Sequence, residues 1–388
     1  MKILRAIHTV NPALGGPIES VKQSSAILSR RGHVVEIISL DAPGDPWVRA
    51  FPVPVHALGP GRSSYGYAPA FSRWVRERRS LFQAVIVHGI WQYNSFGVWR
   101  ALRGSNTPYF VFPHGMLDPW FKRTYPLKHL KKLLYWPWAE YRVLRDAAAV
   151  LFTSEEERRL ARESFALYRC REVVVNYGTA APAVDLEKAR EDFFGPYPEL
   201  REKHLFLFLS RLHVKKGCEL LIEAFAAIRN SSPVHAPHLV LAGPCADEEY
   251  LRHLQRLAGA ATKDDGSITF TGMLTGSRKW GAFSAADAFI LPSHQENFGI
   301  AVAEALACGT PVLISNKVNI WREIEADCAG YVENDDLPGT IALLKRWLAT
   351  GPDARMAMKD NARKSFAERF EIERATDSLL EIIRQSYQ

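Results

Sequence analysis

Leu205-Phe206-Leu207-Phe208-Leu209-Ser210-Arg211-Leu212-His213-Val214-Lys215-Lys216-Gly217 passes from an apolar run of strand length through a basic turn into a stretch of helical periodicity. In that stretch Leu220, Leu221, Ala224, Phe225 and Ile228 share one face, with Glu219, Glu223 and Arg229 largely off it. A one-sided helix directly after an uninterrupted apolar strand is a helix that packs on a sheet.

The same unit recurs. Short β-rich runs stand at residues 3–10, 33–40, 84–88, 109–113 and 149–153, and again at 173–176, 205–210, 239–243, 268–271, 288–292 and 311–315, with helical stretches between them. Such alternation predicts parallel sheets covered by helices on both faces. A polar segment with Gly178, Pro182, Gly195, Pro196 and Pro198 interrupts the rhythm, and 388 residues exceed what one ordinary core holds. The expected fold class is therefore α/β, with two doubly wound, Rossmann-like domains at 1–175 and 176–369. A C-terminal helix over 370–388, with Leu379, Leu380, Ile382 and Ile383 at helical spacing, is expected to pack back toward the N-terminal domain.

Composition narrows the class further. An apolar fraction of 47% with 23% charged residues is that of a folded globular chain, and no stretch approaches the roughly 18 uninterrupted apolar residues of a membrane-spanning helix. The first residues read as a strand that soon meets His8, Asn11 and Pro12, not as a signal peptide, so the cytoplasm is the expected compartment. The five cysteines, Cys170, Cys218, Cys245, Cys308 and Cys328, contain no CxxC pair and point to neither a disulfide framework nor a zinc site. A formal charge of +7 favours anionic partners without choosing among nucleotides, nucleic acids and lipid headgroups. The sequence names no oligomeric state.

In open α/β sheets, ligands collect at the carboxyl ends of strands, where helix N-termini present N–H groups. After the first strand comes Gly15-Gly16-Pro17, where adjacent glycines allow close backbone approach to a phosphate and proline suits a first helical position. A plain tight turn explains the same residues, but the spacing is not that of a dinucleotide fingerprint. After the strand at 205–210, Arg211 and Lys216 form an anion clamp beside a helix N-terminus, or else a solvated basic turn. After the strand at 288–292 comes Glu296-Asn297-Phe298-Gly299, then an apolar helix that contains Glu304 between Ala303 and Ala305. A carboxylate on so apolar a helix requires a partner: a structural arginine, a backbone cap, or paired ligand hydroxyls.

Glu296 and Glu304, with seven residues between them, in the setting Pro292-Ser293-His294-Gln295-Glu296-Asn297-Phe298-Gly299, resemble the E-x7-E signature of retaining GT-B glycosyltransferases, in particular the large family 4 group. Arg211 and Lys216-Gly217 resemble that family's diphosphate clamp. Gly15-Gly16, the Pro113-His114-Gly115 turn and Thr271-Gly272 follow in the family's order. The resemblance spans nearly the whole chain and is strongest from 205 to 331. The junction departs from it: Asn176-Tyr177-Gly178-Thr179 stands where many members have Asn-Gly, a hydrophobic residue and Asp.

The resemblance implies a cleft between the two domains and assigns roles residue by residue. Gly15 and Gly16 let backbone amides reach the donor phosphate; Arg211 and Lys216 neutralise the departing nucleoside diphosphate, work that a divalent metal does in many other transferases. Glu304 holds the ribose hydroxyls, Glu296 contacts the transferred sugar, and Asn297, Phe298 and Gly299 complete the phosphate cradle. His114 lies beside the reacting sugar, or is a histidine satisfied in a buried turn. No DxD metal motif is visible, Asp264-Asp265 and Asp335-Asp336 reading as surface turns, so no metal or other cofactor is expected. Retention without an evident nucleophile fits same-face substitution, in which the donor phosphate takes the acceptor's proton.

Residues 118–146 mix Lys122, Arg123, Lys128, Lys131, Lys132, Arg142 and Arg145 with Trp120, Phe121, Tyr125, Tyr135, Trp136, Trp138 and Tyr141. That mixture suits an anionic bilayer surface, where rings settle at headgroup depth and cations meet lipid. It also suits an ordinary helix pair with aromatics inward and lysines solvated. Nucleic acid is the least favoured partner, because such a binder would spread charge along one face without a nucleotide clamp. The expected reaction is transfer of a sugar from a UDP- or GDP-sugar to an acceptor, a lipid-linked saccharide at the inner face of the plasma membrane. The alternatives are a soluble small-molecule acceptor, a sugar-nucleotide epimerase, which needs no acceptor pocket, and a silent sugar-nucleotide-binding module, which would be expected to lose His114, Arg211, Lys216 or Glu296.

Overall fold

The computed structural model describes residues 1–229 and 237–387. It divides into two compact units, one made of Met1–Gly178 with the segment from Ile372 onward, the other of Thr179–Glu371.

The first unit is built on a seven-stranded sheet: β1 (Lys2–Ile7), β2 (Val34–Ser39), β3 (Val55–Ala57), β4 (Ala84–His88), β5 (Tyr109–Phe112), β6 (Ala149–Phe152) and β7 (Glu172–Val174). Their order across the sheet is β3-β2-β1-β4-β5-β6-β7, every pairing parallel. Strands β4, β5 and β6 are buried at every residue, as a sheet covered on both faces demands. The helix Ile372–Gln385 lays Ile372, Ala375, Thr376, Leu379, Leu380 and Ile383 into this unit and packs on the helix Gly16–Arg30. Arg31 forms ion pairs with Glu373 and Asp377 at that contact.

The second unit carries six parallel strands: β8 (Leu205–Leu209), β9 (His238–Ala242), β10 (Ile268–Gly272), β11 (Ala288–Leu291), β12 (Val312–Ser315) and β13 (Gly330–Glu333), ordered β10-β9-β8-β11-β12-β13. The helix Cys218–Arg229 buries Leu221, Ala224, Phe225 and Ile228 as its periodicity requires, while Leu220 stays half-buried and Ile222 turns inward.

In each sheet the order in which strands are added reverses once, between β1 and β4 and between β8 and β11. There the loops leaving two adjacent strands splay to opposite sides and open a crevice at the carboxyl edge. Two strands lie outside the expected set, β3 and β13. Each has only three or four residues and no apolar run, so edge pairing defines it and periodicity does not. Strand β1 is shorter than expected. Beyond Ile7 the backbone leaves the ladder, and Val10 N donates to the Asp41 carboxylate at 2.9 Å instead.

Candidate functional site

In the second unit every nominated side chain stands at or near the switch between β8 and β11. The loop after β8 closes with a short 3-10 turn, Val214–Lys216, capped by the His213 ring, which accepts from Lys215 N at 3.0 Å, and ended by Gly217 at φ 69. A Cβ on Gly217 would sit 2.2 Å from the Pro292 carbonyl oxygen, so only glycine lets this loop touch the one after β11. His294 N also donates to Lys215 O at 2.9 Å. Two loops far apart in sequence are thereby tied together.

The consequence is an ion pair. Lys216 Nζ bonds Glu296 Oε2, with the lysine side chain 8% and the glutamate 21% exposed. Glu296 is held by its own backbone, whose N donates to Lys317 O at 2.9 Å and whose O accepts from Asn319 N at 3.0 Å. Burial pushes the Glu296 carboxyl upward, and the charge and hydrogen bond of Lys216 outweigh it, leaving the group below its ordinary value. Arg211 is exposed on the same loop. Asn297 and Phe298 lead to Gly299, at φ 78, which starts the helix Ile300–Ala307.

Glu304 is buried in that helix among Val302, Ala303, Ala305 and Leu306. A lysine answers its charge: Lys279 Nζ, from the helix Gly276–Ala285, lies 2.7 Å from Glu304 Oε1. The two carboxylates of the signature thus each carry a lysine partner. Sequence reading did not single out Lys279.

The first unit gathers a second group. Gly15, at φ 105, precedes the helix Gly16–Arg30, with Pro17 in its first turn. The approach to it is fixed by Asp41, which accepts from Val10 N and from Trp47 Nε1 at 2.9 Å each and from Thr9 Oγ1. His114 sits at φ 51, and its Nε2 is 3.1 Å from His88 Nδ1. The rings of Phe112, His88 and His114 stack pairwise with centroids 5.4 to 5.5 Å apart, and Tyr177 meets His114 edge-on. Desolvation pushes the His114 imidazole down to about 4, so it is neutral near pH 7.

Glu157 holds this turn in place. Its Oε1 accepts from Gly115 N at 2.6 Å, and its Oε2 accepts from Thr153 N and Oγ1 at 2.7 Å each, in a side chain only 3% exposed. Sequence reading missed Glu157, His88 and Asp41. A signal existed for Glu157: Ser154-Glu155-Glu156-Glu157 has the capping-box spacing, and Ser154 Oγ does accept from Glu157 N.

The basic, aromatic stretch resolves into helices Trp120–Thr124, Pro126–Tyr135 and Glu140–Arg145. Its aromatic residues do not all turn inward: Trp136 is buried while Trp138 is 51% exposed. Nor do all its lysines stay solvated. Lys132 lies over the Trp91 ring, 4.6 Å from its centroid, and desolvation lowers it to about 8. Leucines take the solvent instead, Leu127 at 78%, Leu134 at 73% and Leu130 at 55% exposure.

Residues 189–365 match the family described as Glycosyl transferases group 1, and residues 15–178 match the Glycosyl transferase 4-like domain. Among characterised relatives, a D-inositol 3-phosphate glycosyltransferase of Saccharomonospora viridis is 30% identical over 54% of this chain and 50% of its own, so the chain spans about half the length of such relatives. An alpha-monoglucosyldiacylglycerol synthase of Streptococcus pneumoniae is 25% identical over 95% of this chain and 83% of its own. Among solved structures, sucrose-phosphate synthase from Thermosynechococcus elongatus superposes with a TM-score of 0.80 at 19% identity, covering 100% of this chain and 99% of that one. HepE of Anabaena, solved in complex with UDP-glucose, reaches 0.76 at 16% identity, covering 99% and 100%. These likenesses show the two-sheet GT-B fold.

Proposed function

The chain belongs to the glycosyl transferases group 1 family, and from that premise we propose that it moves a sugar, with retention and without a metal, from a UDP- or GDP-sugar to a lipid-linked saccharide. The observation that carries this reading is the Lys216–Glu296 ion pair at the β8/β11 switch, beside Arg211 and the start of the helix Ile300–Ala307. A cation stored on a carboxylate is neutralised until an anion competes for it. When the donor diphosphate arrives, Lys216 shares its protons between phosphate and Glu296, and Arg211 forks to two further phosphate oxygens. As the bond from the anomeric carbon to the diphosphate breaks, these two cations meet the growing negative charge. Glu296, relieved of part of its partner, accepts from sugar hydroxyls, and Glu304 takes the ribose hydroxyls while Lys279 holds its other side.

The acceptor oxygen bonds to the anomeric carbon on the face the diphosphate leaves, and its proton passes to the departing phosphate oxygen. His114 addresses a sugar hydroxyl as a neutral imidazole, its tautomer set by the nitrogen of His88. Gly15 and Gly16 in the first unit, and Asn297, Phe298 and Gly299 in the second, each offer backbone amides suited to phosphate. The likeness to HepE with UDP-glucose supports a uridine donor.

The leucines exposed between cations on the helix Pro126–Tyr135 support docking on an anionic membrane surface. Likeness to an alpha-monoglucosyldiacylglycerol synthase supports a lipid acceptor. Among the described residues no helix is long and apolar enough to cross a membrane. A soluble acceptor is the second reading, favoured by likeness to D-inositol 3-phosphate glycosyltransferases.

The test is incubation of the protein with a panel of UDP- and GDP-sugars in excess chelator. Slow release of one nucleoside diphosphate is expected. Release from none of them, or release that requires added magnesium or manganese, would overturn the reading of donor and leaving group.

A further inference from the structure

Leu167 occupies φ 61, in the left-handed region where a side chain strains the backbone, and 71% of its surface is exposed. Glycine would relieve that strain, and the core of the unit gains little from a leucine left in solvent. The segment that carries Leu167 is nonetheless firmly placed. Trp136 Nε1 donates to Ala166 O at 2.8 Å, and the Phe165 ring stacks on Trp136 with centroids 4.5 Å apart and meets His129 at 4.9 Å.

His129, Leu133 and Trp136 stand at i, i+4 and i+7, one stripe along the helix Pro126–Tyr135 and the residue after it. Leu133, 41% exposed, thus lies along the helix between the stripe that receives Phe165 and the outward row of Leu127, Leu130 and Leu134. Charge around the turn has one sign. Arg169 and Arg171 are exposed on it and Lys128 and Lys131 on the helix, while the nearby acids Glu163 and Glu172 are taken by Arg159 and Arg162.

We propose that residues 165–169 form a second membrane-contacting element, continuous with the helix Pro126–Tyr135. Leu167 enters the acyl boundary of an anionic bilayer while Arg169 and Arg171 meet lipid phosphates. The inference rests on the membrane-surface reading above and extends it from one helix to a two-part surface.

Co-sedimentation of the full chain with vesicles of phosphatidylcholine, alone and with phosphatidylglycerol added, tests it. Leu167→Gly removes the side chain at a position whose backbone glycine prefers, so its thermal midpoint should equal or exceed that of the parent. Its partitioning onto the anionic vesicles should fall about tenfold, the scale of one leucine withdrawn from an apolar phase. Leu167→Trp should bind at least as tightly as the parent. Equal partitioning of parent and Leu167→Gly onto vesicles that Leu127→Ser/Leu134→Ser no longer binds would overturn the two-part surface and leave the helix as the membrane contact. A parent that binds neither vesicle would overturn the membrane reading itself.

Discussion

Lys216 and Glu296 are eighty residues apart in sequence and form one part-buried ion pair, made possible because Gly217 lies against the Pro292 carbonyl. The family resemblance gives these side chains different ligands, a phosphate and a sugar. Their pairing makes the two roles interdependent.

Lys216→Met and Glu296→Gln should therefore be non-additive. Each alone is expected to lower kcat/KM for donor hydrolysis by about 2 to 4 kcal/mol of transition-state stabilisation, the scale of one preorganised electrostatic group. The double variant should fall short of the sum by about 1 kcal/mol or more, as contacting residues do. Strict additivity in the cycle would show that the pair is not maintained during turnover.

Gly217→Ala should lower stability by about 2 kcal/mol or more, combining left-handed backbone strain with a Cβ 2.2 Å from the Pro292 oxygen. Affinity for UDP or GDP, read by calorimetry, should fall with it, because relief of the clash separates the loops that hold Lys216 to Glu296. A stable variant with unchanged nucleotide affinity would show that the loop contact is dispensable.

The His114 pKa of about 4 lies below its ordinary 6.5, so between those values the unfolded chain binds a proton that the native one does not. Stability from this group is complete above about pH 6.5 and is lost as pH falls toward 4, by about 3 kcal/mol. The thermal midpoint should decline across that window in the parent. The decline should be shallower in His114→Asn, since asparagine tolerates the left-handed backbone and does not titrate. Superimposable profiles would place the acid sensitivity elsewhere, His88 included, whose burial likewise pushes it down.

Glu157→Ala should destabilise the first unit by about 1 to 3 kcal/mol, because it removes the carboxylate that accepts from the Gly115 and Thr153 amides. Glu157→Gln keeps an acceptor and should cost less. In both variants the His114 ring resonances should shift, because the Gly115 amide anchors the turn. Unmoved resonances with lost stability would make Glu157 a structural residue only.

Periodicity and loop chemistry reach far in this chain because parallel sheets covered on both faces need unbroken apolar strands and one-sided helices. Leu205–Leu209 and the stretch after Gly217 announce both, and glycines, cations and carboxylates stand where strands end. Edge strands β3 and β13 carry no such pattern, since they consist of three or four residues without an apolar run. The sequence by itself determined the α/β class and which residue types stand in the loops that leave the strands, since both follow from local spacing. Only the tertiary structure decided which charges meet: Lys216 with Glu296, Lys279 with Glu304, Glu157 with the amide of Gly115. Those pairings join positions 80, 25 and 42 residues apart, and no period along the chain encodes which loop the packing of a sheet will bring beside another.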